Sequence, residues 1–433
     1  MTLAAEQFPR LLHAMPADGP LGLQAHESLH GPLPRPPRRG AGGSGHPLIL
    51  ELERAGLRGY GGGGFPTATK LAAVAAQRAH AAVVVNASEG EPLSQKDVLL
   101  MRHLPHLVID GALVTAALLG SEAVVFVLDE GAHAAQQSVE QALAERSELA
   151  GRAAPAAQVA AVPRGYLIGQ ETALVSVLGG GPAKPAVTPP YPFERGLAGR
   201  PTLVSNAETY AQIGLVARYG AQWWRTLGTE PAPGTRLVTV GGAVAYPGVL
   251  EVAGGTTVRR LLEASGGVTE QLQGFLLGGY AGTWVGSEAI DLRIDAPTLR
   301  DHGAGLGPGI VFALPESACV VAEVGSIARW LQRESAKQCG PCIHGLGAIA
   351  DALGELCAEG DRHGAYGRIE RWCGLVMRRG ACGLPDGAAS FVTSALHAFR
   401  PEFDDHAQYG GCDVCLEPRQ LPTRPAHYVG VAT

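Results

Sequence analysis

The sequence predicts three folded parts: an α/β domain over residues 46–235, a small β-grasp module over 236–315 and a helical bundle over 316–405. In the first part, short apolar runs alternate with helical patterns, which favours a parallel sheet with crossover helices. In the last part, apolar residues recur at spacings of three and four, as they do on helix faces. A chain of 433 residues is also too long for one ordinary core.

Each part has its own pattern. The predicted strands of the α/β part are 81–85, 123–128 and 158–162, and its helices lie near 107–120 and 132–147. The middle part shows two short strands, a Pro-Gly turn and one amphipathic helix, which suits a β-grasp module.

The last part and the two ends complete the organisation. Four helices are predicted, over 318–334, 342–358, 365–379 and 386–400. Residues 1–45 are rich in Pro, Gly and Arg, which predicts an extended, solvated arm whose basic cluster is a candidate partner contact. Residues 406–433 are expected to form a tail.

Composition narrows the class of protein. A net charge of −6 disfavours nucleic acid or an anionic membrane as the main partner. The N-terminus shows no basic and apolar signal-peptide pattern, and the longest apolar stretch, 111–120, is too short for a membrane span. Cys-x-x-Cys spacing among the eight cysteines indicates metal ligands in a reducing compartment, so a cytoplasmic location is expected.

A glycine-dense loop precedes the first predicted strand. Between Gly56 and Gly64, six of nine residues are glycine, and Phe65-Pro66-Thr67 and Lys70 follow. Glycine lets the backbone approach a ligand closely, and successive N–H groups can then surround an anion. Because a helix-prone segment follows, its N-terminus would add a favourable dipole. The loop is therefore interpreted as a phosphate-binding loop rather than a linker.

A second motif lies at the end of the first predicted strand. The apolar run 81–85 leads into Asn86-Ala87-Ser88-Glu89-Gly90-Glu91, at the edge where parallel sheets place ligand groups. The two motifs resemble GLRGRGGAGFPTGxKW and NADEGEPG of the NADH-binding flavoprotein subunit of respiratory complex I and its relatives, the diaphorase subunits of NAD-dependent hydrogenases and formate dehydrogenases. Segments 165–174, 189–192 and 199–209 extend the resemblance, which covers about residues 50–405.

The resemblance implies hydride transfer from NADH or NADPH to FMN, and then single-electron transfer to an iron–sulfur cluster and an iron–sulfur or ferredoxin-like partner protein. Glu91 and Glu171 would position the nicotinamide, and no side chain is needed as an acid or a nucleophile. The cofactor-binding residues implied are Gly59, Gly61, Gly62, Phe65, Lys70, Asn86, Ser88, Glu89, Glu91, Gly169, Glu171, Tyr191, Asn206 and Thr209.

The chain departs from the family pattern on both sides of this site. Tyr60 replaces an arginine of the glycine loop, and Ser88 replaces an aspartate that contributes to the flavin site in the family. On the nucleotide side, Gln170 replaces the first glutamate of GEET, Thr188 a lysine and Leu71 a tryptophan.

The C-terminal part resembles the family's cluster-binding motifs. Three cysteines of one motif and one of a second bind a 4Fe–4S cluster in the family; Cys339, Cys342 and Cys382 match, and Ala336 stands at the first position. Four outcomes stay open for the unmatched iron: a water or non-cysteine ligand such as His344, a 3Fe–4S cluster, a thiol from the tail, or loss of the cluster.

The remaining cysteines have separate interpretations. The tail pair, Cys412 and Cys415, is open to a redox pair or a shared metal site, and Cys319, Cys357 and Cys373 are expected to be core residues.

Three functions follow. The first is an NAD(P)H-oxidising flavoprotein subunit. The second is an FMN subunit that exchanges electrons only with partner proteins, which Ser88, Gln170 and Thr188 favour. The third is a non-catalytic scaffold, against which the glycine loop and Lys70 argue.

Overall fold

The structure is a computed structural model, and it describes residues 10–34, 45–77, 79–150 and 155–424. The N-terminal part consists of helices on a small sheet, in the order α1 (Leu23–His30), α2 (Pro47–Ala55), α3 (Thr67–Ala75), β1 (Ala82–Asn86), α4 (Lys96–His103), α5 (Pro105–Leu119), β2 (Ala123–Asp129), α6 (His133–Ala150), β3 (Ala156–Val162), α7 (Glu171–Leu178), β4 (Thr202–Asn206) and α8 (Ala207–Trp224).

The first sheet is parallel throughout, with the strand order β3-β2-β1-β4. All five residues of β1 are buried, because helices cover both faces of a parallel sheet. The three predicted strands and two predicted helices are confirmed, with their ends shifted by at most three residues. Asn86 at the end of β1 pairs in register with Asn206 at the end of β4, so both residues lie at one carboxyl edge.

Helices α5 and α8 approach each other closely at Gly111. A Cβ atom added there would lie 1.6 Å from the carbonyl oxygen of Tyr210. We expect Gly111→Ala to lower the free energy of unfolding by about 3 kcal/mol or more, because two buried helices would have to separate. Gly354→Ala is the matched control: this exposed glycine in a later helix has free space around it, so alanine should raise stability by about 0.5–1 kcal/mol. Urea unfolding of both variants checks this, and unchanged stability of Gly111→Ala would contradict it.

The middle part forms a second sheet. Its elements are β5 (Thr235–Gly242), β6 (Gly248–Ala253), α9 (Val258–Ala264), β7 (Leu272–Leu277), β8 (Thr283–Gly286), α10 (Ala296–Asp301) and β9 (Ile310–Pro315). The strand order is β6-β5-β9-β7-β8, with β5 and β9 parallel and the other neighbours antiparallel. The sequence predicted only the first two strands and α9, because the last three strands are short and lack clear alternation.

The C-terminal part is helical, with α11 (Val320–Glu334), α12 (Leu346–Glu359), α13 (Ala365–Val376), α14 (Leu384–Ala398) and α15 (Arg400–Tyr409). A single π-helical turn, Pro341–Gly345, precedes α12. The four predicted helices are confirmed, and α15 is an element that the prediction did not contain. These helices share a core with aromatic residues of the second sheet, including Trp284, which packs on Phe391 and Phe399.

The described portion of the N-terminal arm is packed on the protein rather than solvated, so that expectation was wrong for residues 10–34. Arg10 is 3% exposed, and its guanidinium carbon lies 3.8 Å from the ring centre of Trp223. The N–H groups of Leu11 and Leu12 donate to the two carboxylate oxygens of buried Glu251 at 3.0 and 2.8 Å. The basic residues Arg35, Arg38 and Arg39 lie outside the described residues.

The C-terminal tail is held in a similar way. The N–H groups of Gln420 and Leu421 donate to the carboxylate oxygens of buried Glu323 on α11 at 2.7 and 2.9 Å. The hydroxyl of Tyr280 donates to the carbonyl of Pro422 at 2.5 Å. Both ends of the described chain therefore supply backbone donors to carboxylates in other parts of the molecule.

Within the described ranges, no single helix has both the length and the hydropathy to cross a bilayer. Helices α4 and α5 meet these criteria only as a pair, and they are bent by 94° at their junction.

Candidate functional site

The glycine loop forms a closed turn between α2 and α3. Its base is fixed by the N–H of Gly59, which donates to the carbonyl of Phe65 at 2.9 Å, and by Arg58 Nη1, which donates to the carbonyl of Gly64 at 3.1 Å. Gly62 and Gly64 adopt φ values of +112° and +57°, a region that favours glycine. In the described structure, the N–H groups of residues 61–64 have no protein hydrogen-bond partner, so the loop can donate to an anion.

Tyr60 anchors this loop from beneath. Its N–H donates to Thr209 Oγ1 at 3.0 Å, and its hydroxyl donates to the carbonyl of Thr235 at 3.1 Å. The tyrosine at the family's arginine position is thus a buried structural residue. Thr209 is fully buried. Its hydroxyl accepts from the N–H of Tyr60, so it positions the loop backbone and is not an exposed ligand contact.

Gly61 brings the loop to the carboxyl edge of the first sheet. A Cβ atom at Gly61 would lie 3.2 Å from Cβ of Asn206, so a larger residue would push the loop away from this edge. On the neighbouring strand, Asn86 Oδ1 accepts from the N–H of Ser88 at 3.1 Å. The buried Ser88 hydroxyl has no hydrogen-bond partner in the described structure, so it is free to bond to a ligand.

Lys70 extends from α3 to the same edge. Its ammonium contacts Glu171 and donates to the carbonyl of Val204 at 2.5 Å. The side chains of Lys70 and Glu171 are 25% and 41% exposed, so both remain reachable by a ligand. Gly169 ends a short helical turn before α7. Gln170, where the family has a glutamate, is the N-cap of α7, and its side-chain oxygen accepts from the N–H of Ala173 at 2.8 Å.

Glu89 has a structural role at the start of α4. Its carboxylate accepts from the Ser94 hydroxyl at 2.5 Å and from the N–H groups of Asp97 and Val98 at 3.1 and 3.0 Å. Burial, together with nearby Asp97, raises the pKa of Glu89 to about 7. The carboxyl group therefore caps the start of α4.

Glu91 connects the site to the second sheet. Its carboxyl oxygens accept from the N–H of Tyr280 at 2.9 Å and from the N–H of Leu93 at 3.3 Å. Burial raises the pKa of Glu91 to about 7. A Cβ atom at Gly279 would lie 2.6 Å from this carboxylate, so glycine is needed there for the close approach.

Two aromatic side chains among the predicted cofactor-binding residues are exposed. Phe65 is 55% exposed and Tyr191 is 47% exposed, unusually high for large apolar rings. Tyr191 stacks on Phe193, with ring centres 5.6 Å apart and planes 11° apart. Exposed, pre-oriented rings suit stacking against a planar ligand.

A buried ionic cluster behind Asn206 was missed by the sequence reasoning. The ammonium of Lys96, fully buried, contacts Asp97 Oδ1 at 3.0 Å, Asn206 Oδ1 at 2.9 Å and Glu208 Oε2 at 2.9 Å. The Asn206 amide nitrogen also donates to Asp97 at 2.5 Å. Asn206 therefore directs its amide into this cluster. Its main role is to position the edge of the sheet rather than to offer a free donor to a ligand.

The three cysteines on the family pattern lie near one another at the start of α12 and α14. Cys342 and Cys382 both interact electrostatically with the Cys339 thiol. Burial opposes ionisation of Cys339, but N–H groups of Ala381 and Cys342 donate to its sulfur and lower its pKa. Ala336 is 6% exposed and packs in the helical core, so a methyl group occupies the position of the family's first cysteine.

The other cysteines are arranged differently from expectation. Cys373 is buried on α13, as predicted. Cys319 and Cys357 are not simply core residues: they lie beside His406, Cys412 and Cys415. Cys342 lies in the π-helical turn before α12 and Cys357 lies near the far end of α12, so the helical rise places them about 20 Å apart. The tail pair, held near Cys357, is thereby excluded as the source of the missing ligand near Cys342.

A cavity of about 400 Å³ lies between the glycine loop and the second sheet. Its lining includes the cationic residues Arg58, Arg236 and Arg300 together with Tyr60 and Asp295. The guanidinium of Arg236 lies 5.6 Å from the Tyr60 ring centre. Gly59, Gly62, Gly63 and Gly64 of the glycine loop also line this cavity.

Comparisons with known proteins cover most of the chain. Residues 52–215 match the Nuo51 FMN-binding domain, 237–277 the SLBB domain and 322–406 the NADH-ubiquinone oxidoreductase-F iron-sulfur binding region. The F subunit of the NADH-quinone oxidoreductase of Mycobacterium tuberculosis is 32% identical over 392 residues, covering 86% of each chain. The mitochondrial NADH dehydrogenase (ubiquinone) flavoprotein 1 of Dictyostelium discoideum is 31% identical over 375 residues, covering 83% of this chain and 78% of that protein.

A solved structure of an NAD+-reducing NiFe-hydrogenase in the H2-reduced state superposes with a TM-score of 0.77 at 27% identity. The match covers 84% of this chain but only 62% of the hydrogenase chain. The ordered motifs, the three domain matches and the identity over most of the length all agree. The chain therefore belongs to the 51 kDa flavoprotein family of complex I.

Proposed function

We propose that this protein is the NADH-oxidising flavoprotein subunit of a larger redox assembly, with FMN and a 4Fe–4S cluster as its cofactors. The observation that carries the proposal is the glycine loop, which has four free N–H groups and meets the carboxyl edge of the sheet at Gly61, while the ammonium of Lys70 reaches β4 of the same sheet at Val204. Backbone N–H groups and a lysine together suit the phosphate of FMN. When bound, FMN accepts two electrons as a hydride and releases them singly.

Different residues of the chain would bind the phosphate, the flavin and the nicotinamide nucleotide. The N–H groups of residues 61–64 and Lys70 would hold the phosphate, and Asn86 and Ser88 would contact the flavin from the end of β1. The exposed rings of Phe65 and Tyr191 would stack against the nucleotide. Glu171 would orient the nicotinamide, with Lys70 neutralising its charge.

The remaining assignments complete this proposal. Gly59, Gly61, Gly62 and Gly169 permit close backbone approach, whereas Glu89, Asn206 and Thr209 position the site through the contacts described above. The domain limits proposed are 46–235 for the flavin domain, 236–315 for the β-grasp domain and 316–405 for a four-helix bundle, with an arm at 1–45 and a tail at 406–433.

Cys339, Cys342 and Cys382 would each bind one iron of the cluster, and the fourth iron would take a ligand other than cysteine because Ala336 offers none. The electron acceptor would be an iron–sulfur or ferredoxin-like subunit of the same assembly, and the location cytoplasmic.

A second function is favoured by one observation. Both glutamates expected to position the nicotinamide already have partners in the protein, Glu171 with Lys70 and Glu91 with the N–H of Tyr280. This arrangement suits an FMN subunit that exchanges electrons only with other proteins.

Anaerobic reduction distinguishes these functions. After anaerobic purification and cofactor reconstitution, we expect about one FMN and about four iron atoms per chain, and bleaching of the flavin absorbance by NADH. Dithionite is the control for a reducible flavin, and NADPH is the control for nucleotide selectivity. Bleaching by dithionite but by neither nucleotide would replace the first function by the second. Absence of both flavin and iron would leave a scaffold.

A further inference from the structure

Four potential metal ligands converge at the end of the helical region that lies farthest from the predicted iron–sulfur cysteines. Cys319 is the N-cap of α11, and His406 lies on α15. Cys412 is the N-cap of the short helical turn Asp413–Leu416 that follows, and Cys415 lies within this turn. Their ligand atoms all lie within 4.8 Å of one another. The described residues contain one group of three or more potential ligands that lie this close together. Cys339, Cys342 and Cys382 are not part of it.

The distances fit ligands that share one ion. Cys319 Sγ is 3.3 Å from His406 Nε2 and 3.5 Å from Cys415 Sγ. Cys415 Sγ is also 3.4 Å from His406 Nε2 and 3.6 Å from Cys412 Sγ. For a tetrahedral zinc ion with bonds of about 2.0–2.3 Å, ligand atoms are about 3.5–3.8 Å apart. Cysteines of an iron–sulfur cluster bind different irons and are spread more widely.

His406 is oriented for metal binding by its second ring nitrogen. Nδ1 lies 2.8 Å from the carbonyl of Glu402, which can only accept, so Nδ1 carries the proton. The lone pair of Nε2 is therefore directed at the thiols of Cys319 and Cys415. A hydrogen bond of this kind is the usual way in which a protein fixes a histidine ligand.

The surrounding structure holds the tail in place for these ligands. A Cβ atom at Gly411 would lie 2.3 Å from the carbonyl oxygen of Cys357, so only glycine allows the tail to pass this close to α12. The Cys357 thiol donates to Cys415 Sγ at 3.1 Å, as a group outside the ligand set would. Arg419 donates to the carbonyl of Cys415.

We propose that Cys319, His406, Cys412 and Cys415 bind a single Zn²⁺ ion that fastens the C-terminal tail to α11 and α15. Three thiolates and one imidazole form a closed structural zinc site, with no position left for a substrate. The ion would be separate from the flavin and from the iron–sulfur cluster, and it would not take part in electron transfer because Zn²⁺ has no redox chemistry.

Metal analysis of the intact protein tests this site. In protein purified anaerobically with reductant, we expect about one zinc ion per chain, falling below about 0.2 in Cys412→Ser and Cys415→Ser. Cys373→Ser is the matched control, because Cys373 belongs neither to the proposed zinc ligands nor to the iron–sulfur cysteines. This variant should keep the zinc ion. Cys342→Ser should lose iron and keep zinc.

A measurement on the wild-type protein is independent of whether the variants fold. Zinc X-ray absorption should show three sulfur ligands near 2.3 Å and one nitrogen near 2.0–2.1 Å, about the distances typical of such a site. A shell of four sulfurs would overturn the assignment of His406. Loss of iron and sulfide from the Cys415→Ser variant would overturn the whole proposal. Wild-type protein that stays free of zinc after Zn²⁺ is supplied under reducing conditions would also overturn it.

Discussion

Lys70→Met is expected to weaken FMN binding by about 10- to 100-fold, because a charge-assisted hydrogen bond to phosphate contributes about 1.5–3 kcal/mol. Lys70 reaches the carboxyl edge through the carbonyl of Val204, and its side chain keeps 25% exposure for a ligand. Quenching of FMN fluorescence on titration into cofactor-free protein measures the affinity. Lys184→Met is the matched control, since Lys184 is exposed and lies outside the loop and the sheet edge.

Glu171→Gln tests whether Lys70 and Glu171 have separate roles, the lysine in binding phosphate and the glutamate in orienting the nicotinamide. If Lys70 binds phosphate, removal of the Glu171 charge should preserve FMN affinity while it slows flavin reduction by NADH. Wild-type FMN affinity in Lys70→Met would show that this lysine serves Glu171 alone.

Lys96→Met is expected to lower the free energy of unfolding by about 3–5 kcal/mol, because it leaves buried carboxylates without their cation. Burial disfavours the charged form of Lys96, but Asp97 and Glu208 raise its pKa above the usual value, so the ammonium is charged at neutral pH. Urea unfolding measures the change. Lys184→Met again serves as the control, with an expected change within about 0.5 kcal/mol.

The double variant Lys96→Met/Glu208→Gln tests the cause of this loss. Because it also removes a carboxylate charge, it should be more stable than Lys96→Met alone. A loss below about 1 kcal/mol in the single variant would contradict the importance of this ion cluster.

The loop and the strand ends were predictable because their signals are local. Glycine density between Gly56 and Gly64 and the polar residues after an apolar run can be recognised without any long-range contact. Register then brings Asn86 and Asn206 together, as the rule for parallel sheets requires.

Other features depend on contacts that a linear sequence does not display. Lys96 and Asp97 look like the solvated start of a helix, and only the packing of α8 against α4 makes them a buried cluster. Similarly, Cys319, Cys357 and His406 are single residues on separate helices, with no spacing that relates them to Cys412 and Cys415. Sequence patterns predict elements well, but they do not show which elements meet.

The backbone donors at the two chain ends have a practical consequence for how this protein can be divided. The segments that match known families run from residue 52 to residue 406, and expression of that span alone would remove Leu11, Leu12, Gln420 and Leu421. Glu251 and Glu323 would then be left in the interior without the amides that solvate them. We therefore expect a 52–406 fragment to be less stable than the full chain and prone to aggregation.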